Sequence, residues 1–235
     1  MPAIKAIIFD LDNTLLDFIS MKREASAAAA VEMVRAGLRM DEEEAGKKLF
    51  AAYWKYGIDS NTAFTQFLLE NTGNVDKRVL GRGISAYGRA KMELLKPYEN
   101  ARITLKLLKK KGITLGIVTD APREKAIERL QMAGLQGIFD FLVAFDDTKQ
   151  AKPGELPFRR AVELAGCRAN EMMMVGDSMP RDIVGAQKAG MFAVYAKYGE
   201  DKELKWQKAE GVVPDYEISD ISELLKIISY SSLAK

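Results

Sequence analysis

Apolar residues run almost unbroken over residues 4–9, interrupted only by Lys5, and two aspartates follow at Asp10 and Asp12. Such a run predicts a strand buried on both faces of a parallel sheet. Beyond Asp17 the spacing turns helical. Residues 18–38 contain the run Ala25-Ser26-Ala27-Ala28-Ala29-Ala30 and end at Gly37. Asp41-Glu42-Glu43-Glu44 places acids in a first helical turn, ahead of Leu49, Phe50, Tyr53 and Trp54 at helical intervals. Residues 62–71 and 76–95 read as two further helices, parted by Thr72-Gly73-Asn74. No strand is expected in residues 17–96.

From Pro97 onward, strands and helices alternate. Helices are expected over 98–111, 122–133, 156–164, 183–189 and 221–228. The strands between them fall at 113–119, 141–145, 171–175 and 192–196, with a short extended piece at 215–218. Repeated strand–helix units imply an α/β fold, a Rossmann-like parallel sheet with helices on both faces. The first strand joins that sheet only if the helical stretch is an insert. The expected organisation is therefore a core of residues 1–16 and 97–235, with 17–96 as an all-helical cap.

Composition narrows the chemistry. The chain of 235 residues carries 35 basic and 33 acidic residues, a balance that gives no argument for nucleic acid or an anionic membrane. Lys109-Lys110-Lys111 sits before Gly112, where cations suit a helix end. Cys167 is the single cysteine, so an intramolecular disulfide is excluded and a reducing compartment fits. The N-terminus shows no secretory pattern and no apolar run reaches membrane-spanning length, so a cytoplasmic protein is expected. Histidine is absent altogether. That removes Ser-His-Asp triads, Cys-His dyads, phosphohistidine chemistry and imidazole metal sites.

The informative polar clusters fall at the carboxyl ends of predicted strands, where open α/β sheets put their ligands. They are Asp10, Asp12 and Thr14; Thr119-Asp120; Lys152-Pro153; and Gly176-Asp177-Ser178 with Asp182. Each alone has a bland account as a turn former, a helix cap or a surface lysine. Together they make one chemistry, phosphoryl transfer through an aspartyl-phosphate. Asp10 can attack phosphorus, while Asp10, Asp177 and a backbone carbonyl hold Mg²⁺, which offsets the repulsion between carboxylate and phosphate. The hydroxyl of Thr119 and the ammonium of Lys152 can bind phosphate oxygens. Asp12 is left to protonate the leaving alkoxide and to deprotonate the attacking water.

The motif order resembles the haloacid dehalogenase superfamily of hydrolases, subfamily I, with a helical cap of the C1 type inserted after the first strand. The resemblance rests on Asp10-Leu11-Asp12-Asn13-Thr14-Leu15, Ile117-Val118-Thr119-Asp120, Lys152-Pro153 with Phe158, Gly176-Asp177-Ser178 with Asp182, Gly185, Ala189 and Gly190, and Pro214-Asp215-Tyr216-Glu217-Ile218. It implies Asp10 as nucleophile, Asp12 as acid/base, and Asp10, the main-chain carbonyl of Asp12 and Asp177 as magnesium ligands. Leu11, Asp12, Thr119, Asp120 and Lys152 join Asp10 around the phosphate. Asp182 and Ser178 stand behind them, Asp182 positioning water on the metal or pairing with Lys152. Asp120 departs from the asparagine or neutral residue common in relatives, so its amide is expected to face the ligand and its side chain to turn away. Residues 154–157 depart in loop detail only.

The implied activity is a magnesium-dependent phosphatase of small phosphorylated metabolites, such as phosphoglycolate or glyceraldehyde 3-phosphate. The alternatives are a 2-haloacid dehalogenase, a phosphomutase and a non-catalytic binding protein of the same fold. Asp12 argues against the dehalogenase, which resembles the family but typically has an aromatic residue there. Expected partners are the metabolite alone, with no nucleic acid and no membrane, and a monomer or homodimer. Phe18, Lys22, Tyr53, Trp54, Lys55 and Tyr56 are candidate substrate contacts in the cap, although aromatics at helical spacing more often form core.

Overall fold

The computed structural model describes residues 3–201 and 207–233. Chain contacts divide the protein into two compact units, Met1–Asp17 with Pro97–Lys235 and, separately, Phe18–Lys96.

Among the described residues, the first unit is built on six parallel strands: β1 (Ala6–Phe9), β2 (Thr114–Val118), β3 (Phe141–Val143), β4 (Met172–Gly176), β5 (Phe192–Ala196) and β6 (Tyr216–Ile218). Their spatial order is β3-β2-β1-β4-β5-β6. Ile7 is level with Leu115 on one side and with Met173 on the other, and Phe9 with Ile117 and Val175. All six side chains are buried on one face. Ala6, Ile8, Val118, Met172, Met174 and Ala193 point the other way, into a second buried cluster with Phe158, Ala161, Ile183 and Ala186. Burial on both faces is why the first strand lacks an alternating pattern.

The described α-helices of this unit are α5 (Ala101–Lys110), α6 (Arg123–Met132), α7 (Phe145–Thr148), α8 (Glu155–Ala165), α9 (Val184–Lys188) and α10 (Leu224–Leu233), numbered after those of the second unit. α5 begins three residues later than its pattern predicts. Asn100 takes a left-handed φ of 62°, and the Tyr98 amide is spent on the carbonyl of Leu15 at 3.0 Å. The strand expected to end at Phe145 stops at Val143. There the Asp147 carboxylate accepts the Ala144 amide at 2.7 Å and starts the short α7. Gly176 and Gly185 allow close packing: a methyl on Gly176 would strike the Asp182 carboxyl, and one on Gly185 the Phe158 ring. No described helix is long and apolar enough to cross a membrane.

The second unit contains α1 (Phe18–Arg35), α2 (Glu42–Tyr56), α3 (Ala63–Thr72) and α4 (Lys77–Leu94). Its core gathers Ala29, Met33, Leu49, Tyr53, Phe64, Phe67, Leu68 and Val79. Asp41 caps α2 by accepting the amides of Glu43 and Glu44, each at 3.0 Å, and Asp76 caps α4 on Arg78 and Val79. Among the candidate cap contacts, Lys22 is buried at 4% exposure, with its ammonium 3.3 Å from the Tyr53 ring centroid and donating to Tyr87 Oη at 3.2 Å. Burial pushes the Tyr53 phenol up to about 12. Trp54 is exposed, while Lys55 and Tyr56 both engage Glu70.

Candidate active site

The sheet reverses its strand order at β1, which has β2 on one side and β4 on the other. Open α/β sheets bind ligands at the carboxyl ends of strands beside such a switch. β1 delivers Asp10, whose amide donates to Val175 O at 2.9 Å. β2 delivers Thr119, whose amide donates to Val143 O at 2.9 Å, and β4 delivers Asp177. Asp10, Thr119, Lys152, Asp177, Ser178 and Asp182 are all buried.

Lys152 occupies the centre. Its Nζ donates to Asp10 Oδ1 at 2.6 Å and to Val118 O at 3.0 Å, and pairs with Asp182 Oδ1 at 2.7 Å. Burial alone would favour a neutral amine, but the carboxylates of Asp10 and Asp182 outweigh it and hold the ammonium above its ordinary range. Asp182 is fixed from its other oxygen, which accepts the Ser178 amide at 3.0 Å. Asp177 accepts from Thr14 Oγ1 at 3.2 Å and from Gln207 Nε2. Burial, and then the neighbouring charges of Asp10 and Asp182, push Asp177 well above the usual carboxylate range. Burial raises Asp182 as well, against the pull of Lys152.

One carboxylate oxygen from each of Asp10, Asp177 and Asp182 lies within 4.8 Å of the others. Among the described residues, five carboxylates, Asp10, Asp12, Asp120, Asp177 and Asp182, stand here against three cations, Lys152, Arg129 and Arg181. An excess of acid, three of its carboxylates buried, that offers only hard oxygen donors fits Mg²⁺, and the chain has no histidine to bring in a softer metal.

The remaining positions are tied into the same cluster. Thr119 Oγ1 accepts the Ala121 amide at 3.1 Å. Asp120 Oδ1 accepts the Lys152 amide at 2.9 Å, and its Oδ2 lies 3.5 Å from Arg181 Nη1. Its side chain thus braces the lysine loop and holds a guanidinium. Leu11 is fully buried and accepts the Leu15 amide at 3.0 Å, closing the turn after β1. Asn13 stands in that turn with φ 59° and donates its amide to Leu16 O at 2.7 Å.

Sequence reasoning missed four side chains here. Arg129 Nη1 pairs with Asp12 Oδ2 at 2.5 Å. Arg181 donates through Nε to Ser178 Oγ at 3.2 Å. Gln207 links Asp177 to the Gly199 carbonyl and the Asp201 amide. Tyr198 Oη donates to Thr14 O at 2.8 Å. Only Arg129 leaves a signal in the chain: with Ala126 and Leu130 it falls on the buried side of α6.

The chain matches the family of haloacid dehalogenase-like hydrolases over residues 7–196. It is similar to the glyceraldehyde 3-phosphate phosphatase of Pyrococcus furiosus, with 32% identity covering 97% of this chain and 94% of the relative. A phosphoglycolate phosphatase of Neisseria meningitidis is 29% identical, covering 94% of this chain and 92% of the relative. Among solved structures, an HAD phosphatase from Thermococcus onnurineus superposes with a TM-score of 0.68 at 27% identity, covering 96% of this chain and 98% of that one.

Proposed function

The chain belongs to the haloacid dehalogenase-like hydrolase family and is a phosphatase of small phosphorylated metabolites; we propose that it works through an aspartyl-phosphate on Asp10, with Mg²⁺ as its cofactor. The observation that carries this reading is Lys152 held between Asp10 and Asp182, beside the buried Asp177.

A carboxylate attacks a phosphate ester only where its charge and that of the phosphate are both offset. Lys152, already aimed at Asp10, gives one neutralising charge. Bound Mg²⁺, held by Asp10, Asp177 and the main-chain carbonyl of Asp12, would neutralise the phosphoryl oxygens and orient the ester. As an Asp10 oxygen bonds to phosphorus, the ester P–O bond breaks and its electron pair leaves with the alcohol oxygen. Asp12 supplies the proton that this oxygen takes. Asp12 then removes a proton from water as the water oxygen bonds to phosphorus, and the bond to Asp10 breaks with its electrons returning to the carboxylate. Thr119 and the amides of Leu11 and Asp120 donate to the phosphoryl oxygens throughout.

Two relatives set the order of substrates to try. The Pyrococcus furiosus enzyme is named for glyceraldehyde 3-phosphate and the Neisseria meningitidis enzyme for phosphoglycolate. We assign glyceraldehyde 3-phosphate first and phosphoglycolate second. Residues 17–96 are proposed as the cap, 1–16 and 97–235 as the catalytic core, and the cytoplasm as the compartment. The test is phosphate release from a panel of monoesters, with and without Mg²⁺, for wild type and Asp10→Asn. Metal-dependent release that Asp10→Asn abolishes is expected. Activity surviving in that variant, or persisting without divalent metal, overturns the mechanism.

A further inference from the structure

Arg129 is 2% exposed, on a helix whose other buried residues are Ala126 and Leu130. An arginine withdrawn from water this far needs a matched anion. Its Nη1 finds Oδ2 of Asp12 at 2.5 Å, across 117 residues of sequence. Asp12 lies in a backbone already fixed on both sides: it bridges to Leu16, and the next amide, of Asn13, is bonded to Leu16 O at 2.7 Å. With the main chain held, the Asp12 carboxylate has only its two side-chain torsions left to set. A planar guanidinium is suited to setting them.

We propose that Arg129 is the positioning residue of the acid/base, and that α6 exists in this chain partly to deliver it. The helix starts just past Thr119, so one connection places a phosphate-binding hydroxyl at its beginning and the orienting cation two turns later. The guanidinium takes Oδ2, and proton traffic with the leaving oxygen and then with water falls to Oδ1. This rests on Asp12 being the acid/base, as assigned under Proposed function. An arginine serving only to pin α6 to the sheet would stabilise the fold equally but would have no bearing on which esters are cleaved.

Leaving-group dependence separates the two. An alkyl alkoxide must be protonated as it departs, whereas p-nitrophenolate leaves as a stable anion. kcat/KM reports the step in which the leaving group departs, so it isolates the acid role. We expect Arg129→Met to lower kcat/KM about 100-fold on the alkyl monoester that the wild type cleaves fastest, and less than about 5-fold on p-nitrophenyl phosphate, within the range a general acid contributes. Arg129→Lys, which keeps a cation but not the fork, should recover part of the alkyl loss. In an Asp12→Ala background, Arg129→Met should change neither value further. Equal losses on the two esters, or a full further loss in the double variant, overturn the inference. Circular dichroism melts show whether each variant is folded; if Arg129→Met is not, the same alkyl-to-aryl comparison on Arg129→Lys decides. A wild type without metal-dependent phosphatase activity, or an active Asp10→Asn, would instead sink the underlying reaction.

Discussion

Lys152 Nζ lies 2.6 Å from Asp10 Oδ1, with both side chains buried. The pair is the electrostatic hinge of the cluster, because the same ammonium also answers Asp182 at 2.7 Å. Removing it would leave three buried carboxylates within 4.8 Å of one another with no cation at their centre.

Lys152→Met should therefore fail twice. Breaking a buried ion pair by deleting one partner costs about 3–5 kcal/mol, and the metal-free protein should lose stability on that scale in urea unfolding. In the proposed mechanism it also removes a charge that offsets the phosphate, which should cost about 10²–10³ in kcat even where the variant is folded. Mg²⁺ should restore part of the stability, by offsetting the same carboxylates, without restoring turnover. Unchanged unfolding together with unchanged kcat would remove Lys152 from the site.

The sheet was legible because a strand buried on both faces leaves an unbroken apolar run, and Ile7-Ile8-Phe9 and Met172-Met173-Met174-Val175 are such runs. Asp10, Thr119 and Asp177 could be grouped because parallel strands bring their carboxyl ends to one edge whatever their separation in sequence. Residues placed by long-range pairing were harder. Arg129 interrupts an apolar helical face, a cue visible in the chain, but its partner is set by tertiary packing. Gln207 sits in a stretch with no periodicity, so nothing local marks an amide that will reach Asp177. Asn100 and Phe145 show the same limit at element ends, where a left-handed residue and a capping carboxylate override the pattern.

Glu171 stands just before β4, at the opposite end of the strands. It pairs with Arg168 at 3.0 Å and Lys5 at 2.9 Å and accepts the Arg168 amide at 3.0 Å. Arg168, then Lys5, hold its carboxyl at about 2, below an ordinary value of 4.5. A carboxyl lowered on folding gives stability that is fully present above its unfolded value and lost as pH falls toward the folded one. Wild type should therefore lose melting temperature between pH 4.5 and about 2 partly through this residue. Glu171→Gln should start lower at neutral pH and fall less steeply across that window. Parallel curves for the two proteins would show that Glu171 titrates alike folded and unfolded.

Gly199 tests how tightly the loop carrying Asp10 and Asp12 is held, without changing any charge. It ends the short turn Lys197–Gly199 after β5, and a methyl added there would run into the carbonyl oxygen of Asn13. That oxygen has little room to retreat. The Asn13 amide is bonded to Leu16 O at 2.7 Å, its φ is 59°, and the next carbonyl, of Thr14, accepts Tyr198 Oη at 2.8 Å. The added Cβ would also stand 3.0 Å from the Cβ of Asp177, so either the loop between Asp12 and Thr14 shifts or the turn lifts off Asp177. Each response displaces a group of the site by a fraction of an ångström or more, and small misplacements of reacting groups cost about 10²-fold. Gly199→Ala should lower kcat by about that factor and weaken metal-induced thermal stabilisation. Gly137→Ala is the matched control: its φ of 75° makes alanine strained there, but nothing lies within 4 Å of the new methyl. It should cost about 1–2 kcal/mol of stability and leave kcat unchanged. If Gly199→Ala behaves like Gly137→Ala, the contact with Asn13 is slack, and the loop carrying Asp10 and Asp12 is positioned by β1 and the Arg129–Asp12 pair alone.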